Sequence, residues 1–90
     1  MTIANPQDEF RTTDLALAAY LVAEGSTFLR MEDIAPKKYE FVLFESPKLH
    51  ERVRDFSGGE GRIEPLRYYH AIRNLRGMIA QRRFEEEHDD

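Results

Sequence analysis

Six arginines are crowded between Arg62 and Arg83, and within that stretch Tyr69, Arg73, Arg76 and Arg83 carry the clearest capacity for recognition chemistry. On a helix turning about 100° per residue, positions i, i+4, i+7 and i+14 return to one flank. Guanidinium groups grip carboxylates or phosphates with paired donors, and a tyrosine ring beside them stacks on a base or another ring. The flank therefore predicts binding to an acidic protein surface. Nucleic acid is the second expectation, with Lys37 and Lys38 joining from a neighbouring loop. A plainer use of the same residues is a solvated helix face whose arginine stems cover apolar neighbours.

Catalysis and metal binding find no comparable constellation in the sequence. The chain has no cysteine, hence no thiolate ligand, thiol nucleophile or disulfide. His50, His70 and His88 fall on different expected elements with no paired spacing, so no metal site is expected. Ser26, Ser46 and Ser57 each sit where a turn or cap explains the hydroxyl without a histidine partner. Asp14 and Glu24 have ordinary uses at the start and end of a helix. The glycines of Ser57-Gly58-Gly59-Glu60-Gly61 lack the strand before and the Lys-Ser or Lys-Thr after that a phosphate loop needs. No catalytic residue and no cofactor is expected, and the chain reads as non-enzymatic.

Ninety residues with 41% apolar content and ten aromatic rings suit one small domain. The net charge of −4 conceals a division along the chain. Residues 62–84 carry six arginines against Glu64, a local +5, whereas 85–90 contribute five acids and 1–33 contribute six acids against two arginines. An overall acidic balance argues against a dedicated DNA binder unless the basic helix acts as a local patch. No apolar run approaches the roughly 20 residues needed to span a bilayer, and the N-terminus lacks the pattern of a signal peptide, so no membrane partner and a cytoplasmic location are expected.

The elements that must position these side chains follow from spacing. After a loose lead-in over residues 1–9, Thr12, Thr13 and Asp14 offer capping oxygens for a helix. Its stripe is Leu15, Ala18, Ala19 and Val22, broadened by Leu17 and Leu21, with Gly25 as a left-handed stop. Residues 27–32 alternate as a half-buried edge strand, and Tyr39–Glu45 reads as a better buried one, joined by a loop over 33–38 that is too long for a tight turn. Ser46-Pro47 starts a short helix with Leu49, Val53 and Phe56 inward. Residues 64–83 form a long helix burying Tyr68, Ile72, Leu75 and Ile79, with Ala71 and Met78 widening the stripe. The expected fold is α+β, in the order α-β-β-α-α: an antiparallel hairpin packed against helices over residues 10–84, with a disordered acidic tail over 85–90.

The stretches FRTTDLALAAYLVAEG, YEFVLFES and LRGMIAQ resemble a small uncharacterised domain family, a domain of unknown function found in phage and bacterial proteins. The similarity spans roughly residues 10–80 and centres on Thr13–Ala19. It implies a mobile-element accessory protein and brings no reaction or functional residues. The leading expectation is a protein-interaction module in which the acidic surfaces of the first helix and tail, or the arginine edge of the last helix, contact a larger protein or nucleoprotein partner. Nucleic-acid binding and self-association, through a sheet edge or the long helix, are the alternatives. The acidic tail is also placed to cover the basic edge until a partner displaces it.

Overall fold

A computed structural model describes residues 8–87 of the chain. In order, it contains β1 (Glu9–Thr12), α1 (Leu15–Ala23), β2 (Phe28–Ala35), β3 (Lys38–Phe44), α2 (Pro47–Ser57) and α3 (Pro65–Glu87). The strands form one antiparallel sheet in the order β1-β3-β2, so the expected α+β class holds. The sheet gains a strand the sequence did not announce: EFRT has a single large apolar residue and is too short for alternation to show. Its first residue lies within the expected lead-in. The structure anchors that end through Asp8, whose carbonyl accepts from the Glu45 amide at 2.8 Å. Residues 1–7 of the lead-in lie outside the described residues.

Local chemistry sets the helix boundaries. The Asp14 side chain accepts from the Leu17 amide at 3.1 Å, and Ser46 does the same for Leu49 at 3.1 Å, each satisfying an amide of a first turn. Glu64 plays this part for α3, accepting from the Arg67 amide at 2.8 Å. Gly25, at φ +107°, ends α1 in a conformation closed to most L side chains. The β2–β3 connection departs from expectation. Ala35 pairs with Lys38, which leaves only Pro36 and Lys37 in the turn. Pro36 fixes its own φ, and Lys37 takes the left-handed φ of +60° that closes the turn.

The sheet's inner face is covered by helices. Phe41 and Leu43 of β3, Leu21 of α1 and Leu49 of α2 are essentially fully buried, each stabilising the fold by roughly 1.5–3 kcal/mol. Ala18 and Ala19 are also fully buried. Their small size lets α1 approach its neighbours closely, with α3 along one side and α2 on another. Ala71 and Leu75 are the buried residues of α3, flanked by half-buried Tyr68, Ile72 and Ile79. Two large side chains differ from the expected helical stripes. Met78 is exposed, because it lies on the rim facing β2, and Tyr20 is buried against Phe56.

The outer face is held differently. Val42 is fully buried on it, opposite Arg11 of β1 and Arg30 of β2. Arg11 donates to Glu9, Glu32 and Glu40 at 2.9, 2.8 and 3.1 Å, and Arg30 reaches Glu9 at 2.9 Å and also pairs with Glu32. Two arginines and three glutamates thus tie all three strands together and lay their stems over Val42.

Candidate functional site

The sequence of α3 builds the site. Leu75 faces α1, and the 3.6-residue repeat then turns Tyr69, Arg73, Arg76 and Arg83 onto one flank, where all four are exposed. Arg73 Nη1 stands 3.5 Å from Tyr69 Oη, a long contact that sets the guanidinium beside the phenol. The edge of the His70 ring meets the Tyr69 ring at 5.8 Å between centroids. Among the described residues, Arg73, Arg76 and Arg83 have no carboxylate within ion-pair distance. Arg11, Arg30 and Arg82 all do, the last with Asp33 of β2. Arg52, Arg54, Arg62 and Arg67 also lack an ion pair among the described residues, so what sets this flank apart is three such arginines on one helix line beside an exposed tyrosine.

The flank has two stations. Tyr69, Arg73 and Arg76 occupy about 10 Å of helix, and Arg83 lies about 10 Å further along. At that second station Arg83 meets Lys37 and Lys38 around a groove of about 440 Å³ whose wall includes Leu15, Phe41 and Ile79. The structure therefore brings Lys37 and Lys38 to Arg83, and not to Arg73 or Arg76. Tyr39 lines the same groove and donates its hydroxyl to Glu86 at 2.9 Å. Burial, and then the Glu86 carboxylate, push the Tyr39 phenol above its ordinary value. α3 runs on through Glu87, so the first acids of the expected disordered tail are helical, and Glu86 stands beside the cationic groove. Residues 88–90, including His88, lie outside the described residues.

Several other ionisable groups have structural partners. His50 stands 3.4 Å from Glu45 and edge-on to Phe10. Among the described residues no three His, Asp or Glu side chains are grouped to hold a metal ion, and no helix is long and apolar enough to cross a membrane. The carboxyls of Glu9 and Glu32 are held below their usual range, by Arg30 first for Glu9 and by Arg11 first for Glu32. Both remain ionised as ion-pair partners.

Sequence reasoning missed a second surface. Phe28, Leu29 and Met31 of β2 and Asn74, Met78 and Gln81 of α3 line a mainly apolar groove of about 600 Å³. Gly77 also lines it. This glycine in mid-helix was the one signal available, since a helix interior disfavours glycine by about 1 kcal/mol relative to alanine.

Comparison with known proteins finds no curated protein and no solved structure that matches the chain. A family model covers residues 7–81, a span that takes in β1 to β3, α1, α2 and most of α3. The chain belongs to the family described as a domain of unknown function, DUF5659.

Proposed function

We propose that this domain is a non-enzymatic interaction module whose contact surface is the flank of α3 carrying Tyr69, Arg73, Arg76 and Arg83, and that its partner is an acidic protein surface. The observation that carries this reading is the alignment of arginines on one line of α3. Ion pairs hold Arg11, Arg30 and Arg82 within the fold, and although Arg54, Arg62 and Arg67 are also exposed without an ion pair among the described residues, Arg73, Arg76 and Arg83 share one helix line with the exposed Tyr69. An exposed tyrosine next to unpaired arginines has the composition of interface anchors. The non-enzymatic part is supported by the lowered carboxyls, which belong to the ion pairs of the outer sheet face rather than to a cleft.

A second reading, nucleic-acid binding, is favoured by one observation: Lys37, Lys38 and Arg83 converge on a single groove beside the same flank. Titrating the full chain with a polyglutamate peptide, a single-stranded oligonucleotide and a duplex, each over a range of salt, separates the two. The leading reading expects binding to the acidic peptide that is lost in Arg73→Ala/Arg76→Ala. Tight oligonucleotide binding with a steep salt dependence would favour the second. Binding to none of the probes at low salt would contradict both.

A further inference from the structure

β2 is an outer strand, and among the described residues the backbone edge turned away from β3 has no strand partner. Such an edge is normally guarded by charge or by bulges, and β2 has both: the pairing with β3 breaks step at Leu29 and again at Ile34. Between those breaks Arg30–Asp33 pairs regularly. Arg30 and Glu32 lie on the outer face, opposite Val42 and Glu40, and Met31 lies between them on the inner face. The order Arg-Met-Glu is self-complementary. In an antiparallel pair of two such strands centred on Met31, Arg30 of each copy stands opposite Glu32 of the other. Moving the register by two residues, the smallest step that preserves the faces, sets Arg30 against Arg30 or Glu32 against Glu32.

A second, independent observation lies on the helix above that edge. Gly77 lines the groove between β2 and α3, and a Cβ built there would meet nothing within 4 Å. No contact within the chain asks for glycine at this position, and helix propensity disfavours it. Close approach by a neighbouring backbone is a physical use for it. Around Gly77 the groove presents Leu29, at 41% exposure, and Met78, at 36%, beside the strand edge. Backbone donors, an alternating charge pattern and an apolar wall thus occur together.

We propose that this edge is a self-association surface: β2 of a second copy pairs antiparallel with β2 about Met31, making a six-stranded sheet, and the α3 flanks approach at Gly77. The groove lies on the side of α3 turned away from Arg76 and Arg83, with Asn74, Met78 and Gln81 opposite them, and it adjoins the arginine flank where Gly77 follows Arg73 by one turn. The second copy is favoured over an unrelated peptide because the charge order of β2 is complementary to itself.

The absence of cysteine permits a direct test of register. Full-length Arg30→Cys and Glu32→Cys chains, mixed in equal amounts under mild oxidation, are expected to form the mixed disulfide well above its statistical share. That pairing sets the two cysteines opposite each other and keeps one Arg30–Glu32 pair. In parallel, the solution mass of the unmodified chain is expected to rise from monomer towards dimer between about 10 µM and about 1 mM, the range of a modest interface. Gly77→Gln, which has space in the monomer and improves helix propensity, is expected to fold at least as stably and to weaken self-association about tenfold or more. Monomer mass at every concentration, disulfides in statistical proportion, or unchanged association in Gly77→Gln would overturn the proposal. Arg76→Ala/Arg83→Ala, on the side of α3 turned away from the groove, is expected to dimerise normally while losing the acidic peptide, so failure of the flank reading and failure of this one give different results.

Discussion

Two glycines with opposite surroundings show how single positions are constrained. At Gly61 an added Cβ would fall 2.5 Å from the Tyr20 hydroxyl, and Tyr20 is only 4% exposed, pinned against Phe56. Gly61→Ala must therefore displace a buried ring, and we expect a loss of about 1–3 kcal/mol in urea unfolding. Gly77→Ala meets nothing and is expected to gain about 0.5–1 kcal/mol in the same experiment. If the two variants shifted the urea midpoint equally, the packing described around Tyr20 would be wrong. At this scale the sequence was partly readable. Asp14, Ser46 and Gly25 act where capping chemistry places them, but nothing in the string links Gly61 to Tyr20, which lies 41 positions away and meets it only through the fold.

Among the elements, the sheet depends on charge as well as on burial. Glu9 and Glu32 have carboxyl pKa values lowered in the folded state by Arg30 and Arg11. A depressed carboxylate contributes stability above its unfolded pKa and loses it as pH falls through the folded value. Urea midpoints are therefore expected to fall as pH drops from about 5 to about 3, and to fall less in Glu9→Gln/Glu32→Gln. Because these groups are accessible to solvent, about 1 M salt should also blunt the effect. An identical acid profile in the double variant would show that the outer-face network contributes nothing measurable. The three helices and the β2–β3 hairpin were legible because their patterns run for several residues. β1 was not: four residues carry too little alternation, and the strand exists because β3 offers it a partner. Pro36-Lys37 likewise read as part of a long loop, since only register pairs Ala35 with Lys38.

Over the whole molecule, one core draws on every element, with α1 contacting both other helices. Leu49 is the one fully buried side chain through which α2 joins that core. Leu49→Ala is expected to cost about 2–5 kcal/mol, read as a loss of cooperative thermal unfolding at a lower temperature. A change below about 1 kcal/mol would mean that α2 is not anchored there. The flank of α3 was legible from spacing alone, and its four residues are all exposed as the helical repeat requires. Its meeting with Lys37 and Lys38 at Arg83 was only partly legible, because the turn that presents the lysines had to be placed first. The groove against β2 was not legible, since its two walls come from elements that spacing cannot bring together.

The central claim is that the unpaired arginines of α3, and not arginine content in general, make the contact surface. Titration of a polyglutamate peptide against Arg73→Ala/Arg76→Ala and against Arg82→Ala tests it most directly, because Arg82 belongs to the same helix but is paired with Asp33. The account predicts at least a tenfold loss of affinity, about 1.4 kcal/mol, in the double variant and little change for Arg82→Ala. Equal losses in both, or none in the double variant, would contradict it.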